Sequence, residues 1–357
     1  MKFNQSKQRI SFQMVYVKSQ ELEDYSSTGR KRPWKKRKKQ TYILADIYDN
    51  LKNINPDYFT KKAIKTRDCG TYLEFAKCPD HDKEKRLKSA NFCKGRLCPM
   101  CQWRRSMKLA FEINEVCNLA LVEQPKLRFL FLTLTTKNVV ADKLEDEIDK
   151  MNYAFKKMKN RKEVNNVVEG YFKAVEVTYN SDNDNYNPHF HVLLAVKPSY
   201  FTHGYIKQDR WVELWKQSLK VDYSPIVDVK AVKKKDSNKK SKLLEDKKQY
   251  EQEMSRAVAE VGKYSVKPDD YLDEDIEIAT DVVETLEFAL KGKRLATYGG
   301  LFYKIRQKLN MDDIEDENAD LVNISDDEDK GNCSICNKEL IDEVYSWNVG
   351  LNLYQKN

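Results

Sequence analysis

GYFKAVEVTYNSDNDNYNPHFHVLLAV, residues 170 to 196, is the stretch from which the fold of this chain is read. Residues 170–180 are rich in β-branched and aromatic side chains and read as a strand. The polar link SDNDNY then turns the chain, and an apolar run from Pro188 reads as a second, buried strand. A link this short makes the two strands antiparallel neighbours. Side chains two apart on a strand point the same way, so His189 and His191 share one face while Phe190 and Val192 take the other. The chain has only four histidines in 357 residues. A buried histidine is ordinarily a hydrogen-bonded core residue, but two on one strand face have the geometry of a two-ligand metal site.

Working outward, RFLFLTLTT (128–136) reads as a strand, with Thr133 and Thr135 on one face. ADKLEDEIDKMNYAFKKMKNRKEV follows at helical spacing. Beyond the histidine strand come a helix around DRWVELWKQSL, a further strand in IVDVKAV and an exposed Lys-rich loop, KKKDSNKKSK. A helix over about Leu243–Val266 is then ended by Pro268. Upstream, TYILADIYDNLKNI has helical spacing, and WRRSMKLAFEINEVCNLALV reads as an amphipathic helix from Trp103, with Cys117 an ordinary buried thiol on it. This order implies an α+β fold with a mainly antiparallel central sheet flanked by helices. The expected division is a basic N-terminal arm and helix (1–60), a Cys-rich metal-binding segment and helix (61–120), a catalytic domain (121–305) and an acidic tail with a CxxC pair (306–357).

Lys and Arg number 64 against 56 Asp and Glu, a net charge of +8. GRKRPWKKRKKQ (29–40) is strongly basic and MDDIEDENADLVNISDDEDK (311–330) acidic. A basic arm on a net-basic chain fits a polyanionic partner, because each phosphate neutralised releases counterions. No run approaches the ~18 apolar residues of a spanning helix, and the start lacks a signal-peptide pattern. The expected location is therefore cytoplasmic with no membrane partner, where eight cysteines are metal ligands or free thiols rather than disulfides. No GxxxxGK[ST] phosphate cradle is present, so any unwinding of DNA needs a partner helicase.

CGTYLEFAKCPDHDKEKRLKSANFCKGRLCPMC (69–101) concentrates five of those cysteines and His81. In CPMC the two-residue spacer lets Cys98 and Cys101 grip one tetrahedral zinc, and Pro99 helps form the turn. Cys69 with Cys93 is the preferred completion, and Cys78 or His81 could replace either. A closed four-ligand site stabilises the fold, and here it would present KGR and WRR to DNA. Farther on, Cys333 and Cys336 in CSIC form half a knuckle, open to completion by a second chain, or two unmetallated thiols.

Three segments in order, FLFLTLTTKN, EVTYNSDNDNYNPHFHVLLAV and EVGKYSVKPDDYL, resemble the motifs of rolling-circle replication initiators of small bacterial plasmids. These belong to the His-hydrophobe-His endonucleases, and the branch resembled has one nucleophilic Tyr and a nearby Glu. CGTYLEF, FCKGRLCPMCQWRRSMK and YGGLF also resemble that branch, so the likeness covers roughly residues 65 to 305. It implies the endonuclease fold of that class and favours Cys69, Cys93, Cys98 and Cys101 as the zinc set.

The resemblance further implies that Tyr264 attacks a phosphate of the plasmid origin, single-stranded or in a hairpin at the nick. This leaves a 5′-phosphotyrosine and a 3′-OH for a host polymerase to extend. Glu260, four residues earlier and on the same helical face, then activates water at termination. Tyr271, after Pro268, is the rival nucleophile. His189 and His191 would hold Mg²⁺ or Mn²⁺, with Glu176 as the carboxylate that such hard ions require, since its strand pairs with the histidine strand. Lys263 and Lys267 are expected to contact DNA phosphate. Self-association is left open. A relaxase or single-strand transposase would share this chemistry, and a non-catalytic zinc-containing DNA-binding regulator would bind DNA without cutting it.

Overall fold

The computed structural model describes residues 21–26, 29–81, 84–232, 253–262, 266–316, 318–324 and 331–357. The Lys-rich loop, the first part of the helix expected over Leu243–Val266, and Lys263 and Tyr264 fall outside these residues. In chain order the main elements are α1 (Trp34–Asn50), α2 (Pro56–Asp68), β1 (Tyr72–Lys77), β2 (Lys85–Ala90), α3 (Pro99–Glu123), β3 (Arg128–Thr135), α4 (Leu144–Lys159), β4 (Val168–Asn180), β5 (Asn185–Val196), α5 (Gln208–Leu219), β6 (Val227–Ala231), α6 (Ile276–Ala289), β7 (Ala296–Gly300), α7 (Leu301–Lys308), β8 (Ile341–Asn348) and β9 (Leu353–Lys356). A further helical stretch occupies 253–261. They form two units, residues 1–104 with 320–357, and residues 105–319.

The first unit is built on a four-stranded antiparallel sheet in the order β2-β1-β8-β9. Alternation on β1 turns Leu73 and Phe75 inward, where they meet Tyr345, Trp347, Tyr354, Trp34 and Met100. Residues 341–357, read from sequence as the end of an acidic tail, therefore hold two strands, β8 paired to β1 and β9 paired to β8. The inward face of β8 carries Glu343, Tyr345 and Trp347, and the acidic residues at its start hid this alternation in the sequence. The basic run also differs from a solvated arm. From Trp34 it is helical, and both Trp34 and Lys38 are buried.

The second unit holds a five-stranded sheet, β6-β3-β5-β4-β7, with every neighbouring pair antiparallel. On one face Phe190 meets Phe155 of α4 and Trp215 of α5, at ring separations of 6.2 and 6.3 Å. On the other, Phe129, Phe172, Leu193 and Ala195 pack under α3, the helix at 253–261 and α7. The apolar residues that cover them include Leu109, Ile113, Val258, Val261 and Phe302, with Cys117 an ordinary core thiol. That second face turns polar toward one end, where Phe129 and Phe131 give way to Thr133 and Thr135, and Leu193 to His191 and His189. The sheet thus anchors one half of a face in the core and leaves the other half for chemistry.

YGGLF joins β7 to α7, and its two glycines have a steric reason. Gly300 lies at φ +61°, and a Cβ there would fall 2.3 Å from the Glu169 carbonyl oxygen; one on Gly299 would fall 2.1 Å from the Tyr171 ring. Gly300→Ala is expected to cost about 3 kcal/mol from backbone strain and collision. In calorimetry that is a drop of roughly 6–12 °C in the melting of this unit, and an unchanged midpoint would contradict the assignment.

Candidate functional site

Register places the polar end of the sheet. Glu176 of β4 lies opposite His189 of β5, and His191 lies between Ala174 and Thr133 of the strands on either side. Because facing residues of paired strands project to the same side, Glu176, His189 and His191 converge. His191 Nε2 is 2.8 Å and His189 Nε2 3.4 Å from Glu176 Oε2. The His189 Nδ1 lies 3.1 Å from the Asn187 carbonyl, so that N–H donates to the backbone and Nε2 is turned toward the carboxylate. The His191 ring stacks on Phe131 at 5.6 Å.

Glu176 and His191 are buried. Burial alone would raise the Glu176 carboxyl, but the facing His189 and His191 side chains and the Lys267 ammonium outweigh it and hold the group well below the usual carboxylate range. The Lys267 ammonium, 2.8 Å from Glu176 Oε1, sits where positive charge is wanted. One nitrogen of each histidine and one oxygen of Glu176 lie within 4.8 Å of one another. This trio could hold a metal ion, and three protein ligands leave coordination places for oxygens of a substrate.

The helix at 253–261 carries Glu260, one residue before the core residue Val261. The charges of both Glu260 and Glu176 act on Lys267 and raise its pKa against the effect of burial, which puts Glu260 in the electrostatic neighbourhood of the trio. Tyr271, the rival tyrosine, is 1% exposed and part of the core. Sequence reasoning missed Asp270. Its carboxyl is pushed up by burial, Lys267 and Glu176 both act on it, and its Oδ2 has no hydrogen-bond partner among the described residues. Only its position in the turn after Lys267 hinted at this.

In the first unit Cys69, Cys93, Cys98 and Cys101 come together, as the preferred set has it. Sulfur separations of 3.5, 3.6 and 3.7 Å approach the ~3.8 Å edge of a tetrahedron with metal–sulfur bonds of ~2.3 Å. Cys93 leads a tight turn in which Lys94 has φ +56° and Gly95 N–H donates to Cys93 Sγ at 3.4 Å. Pro99 starts α3, so Cys98 lies just before the helix and Cys101 in its first turn. Lys38 is buried beside them and donates to the carbonyls of Arg67 and Cys69 at 2.7 and 2.8 Å. Burial lowers its pKa to about 8 against the pull of the cysteines, and its ammonium would offset the thiolate charge of a metal-bound set. Nothing in the spacing of the basic run singled it out.

Two expectations for this segment change. Cys78 and His81 stand apart from the four-cysteine set. The WRR stretch is not presented to DNA: Trp103 packs edge-on against Trp34 at 4.7 Å, and Arg104 and Arg105 are buried. Arg104 donates to the Leu321 and Val322 carbonyls. The buried stripe of the helix simply continues back to its first turn.

Fold and sites together define an antiparallel α+β protein that gathers its metal-binding types of side chain into separate groups, a His-His-Glu trio on a sheet and thiolates on a Cys-rich segment. The chain belongs to the replication-protein family, whose pattern matches residues 84–354. It is 39% identical over 317 residues to a protein rep of Bacillus amyloliquefaciens, covering 87% of this chain and 91% of that one. A protein rep of Lactiplantibacillus plantarum is 38% identical over 313 residues, covering 87% and 92%. One from Staphylococcus aureus is 41% identical over 207 residues, covering 57% and 82%. No solved structure matches the chain. No helix among the described residues is long and apolar enough to cross a membrane.

Proposed function

We propose that the protein initiates rolling-circle replication of a plasmid by nicking and rejoining one strand of its origin, with the fold of the His-hydrophobe-His endonucleases. The observation that carries this reading is the convergence of Glu176, His189 and His191 on one sheet face, in a chain of the replication-protein family. Mg²⁺ or Mn²⁺ is the ion suited to two imidazoles, a carboxylate and phosphate oxygens. When bound it supplies Lewis-acid polarisation of the scissile phosphate. Zn²⁺ suits the four thiolates, with a structural role.

In the nicking step the Tyr264 hydroxyl gives up its proton as its oxygen forms a bond to phosphorus, and the P–O3′ bond breaks with its electron pair leaving on the 3′ oxygen, which takes up a proton in exchange. The phosphodiester energy is kept in the phosphotyrosine. At termination Glu260 takes a proton from the water that cleaves the last junction. Lys263 and Lys267 bind phosphate. Host helicase and polymerase complete the process, since no phosphate-cradle motif is present.

The test is incubation of the protein with Mn²⁺ and single-stranded oligonucleotides tiling its replicon. A covalent adduct that disappears on chelation supports the reading. Binding without an adduct on any tile overturns it in favour of a zinc-containing DNA-binding regulator. Removing the carboxylate with Glu176→Ala is expected to weaken Mn²⁺ binding about 10- to 100-fold by calorimetry, and undiminished affinity would take Glu176 out of the ligand set. Lys267 competes with a cation for that carboxylate. Lys267→Met is therefore expected to tighten Mn²⁺ binding by roughly two- to tenfold, while lowering the salt slope of DNA binding by about one. A loss of both affinities would count against it.

A further inference from the structure

We propose that Cys78, His81, Cys333 and Cys336 form a second structural zinc site, which clasps the entry of β8 to the β1–β2 turn. One ligand atom from each lies within 4.8 Å of the others. Cys78 Sγ is 3.5 Å from Cys336 Sγ, and Cys333 Sγ 3.3 Å from His81 Nε2. A tetrahedral zinc with bonds of ~2.3 Å to sulfur and ~2.0 Å to nitrogen would set these edges at about 3.8 and 3.5 Å.

The backbone around the sulfurs is built as it is in the four-cysteine group. There, Gly95 N–H donates to the sulfur of Cys93, two residues before it; here, Ile335 N–H donates to Cys333 Sγ at 3.4 Å. Lys94 takes positive φ in the first turn, and Asn337 takes φ +58° in the second. The CSIC turn is closed by Asn337 N–H to the Cys333 carbonyl and Cys333 N–H to the Lys338 carbonyl. Glu84, from the chain entering β2, accepts from the Ser334 N–H and hydroxyl at 2.7 and 2.8 Å. The half-knuckle read from the sequence is thus completed within its own chain.

Position in the sheet gives the site its work. Cys69 lies shortly before β1 and Cys93 shortly after β2, whereas Cys78 directly follows β1 and His81 precedes β2. In the β1–β8 ladder Lys77 pairs with Ile341, so Cys333 and Cys336 arrive at the same end. The two groups pin opposite ends of one sheet. The β2 edge of that sheet has no buried residue, and a small core of this kind calls for staples. The clasp ties together chain segments more than 250 residues apart, on either side of the second unit.

Zinc per chain, measured by mass spectrometry, tests this independently of any nicking activity. The full chain carrying His189→Ala and His191→Ala, so that the sheet trio cannot contribute, is expected to hold two zinc ions. Adding Cys333→Ser and Cys336→Ser should leave one. Cobalt titration of the zinc-stripped chain with both cysteines intact should reach two equivalents with thiolate-to-cobalt absorption, which keeps the test open if the serine variant fails to fold. His81→Cys, which preserves four ligands, should still hold two. One zinc before any cysteine is replaced, or a Cys78–Cys336 disulfide in place of metal, overturns the proposal.

Discussion

Tyr264→Phe is expected to abolish the covalent adduct with origin DNA, a loss of at least ~10⁴-fold in nicking, with DNA and Mn²⁺ binding unchanged. The substitution removes one oxygen and preserves the ring, so on the proposed mechanism it takes away the nucleophile and little else. Neighbouring residues support the assignment. Val258 and Val261 seat the preceding helix in the core, Glu260 acts electrostatically on Lys267, and Lys267 is paired with Glu176. Twelve residues span Glu260 to Tyr271, yet Tyr271 is spent on packing, so Tyr271→Phe should leave the adduct intact. Denaturing gel analysis of a labelled oligonucleotide decides. An adduct that persists in Tyr264→Phe and vanishes in Tyr271→Phe would reverse the roles.

The second large effect is expected from Cys98→Ser with Cys101→Ser, which should release one zinc and unfold the first unit. Binding of structural zinc to such ligands contributes on the order of 10–16 kcal/mol, comparable to or greater than the whole stability of an ordinary domain, ~5–15 kcal/mol. The core of the unit is built around these ligands. Its cluster of buried residues itself includes Cys69, Cys98 and Cys101, and Lys38 would be left buried without the thiolate charge it faces. Limited proteolysis should cut at α1, α2 and the β1–β2 hairpin while the five-stranded sheet of the second unit resists. Unchanged proteolysis and melting would show that the four sulfurs do not hold a structural ion.

How much of this was legible in the sequence follows from the range of each interaction. Alternation within residues 170–196 is a local property of the backbone, and it led directly to the β4–β5 hairpin with His189 and His191 on one face. The CPMC spacer is equally local, and Cys98 and Cys101 are indeed neighbours in one group. The pairing of β4 with β5 was also enough to nominate Glu176 among 56 acidic residues, because register in a short hairpin is set by its turn.

Where partners lie far apart in the chain, spacing carries no such information. Nothing near CSIC points to Cys78 and His81. They meet because β8 pairs with β1, a ladder between ends of the chain that only the packed sheet specifies. Lys38 and Arg104 read as surface charge in runs of basic residues, yet folding buries both, since backbone carbonyls at distant positions accept from them. Local spacing along the chain was enough to say which side chains share a strand face or a turn. Tertiary structure alone decided which of those faces and turns meet, because that depends on long-range burial and strand pairing that no local period records.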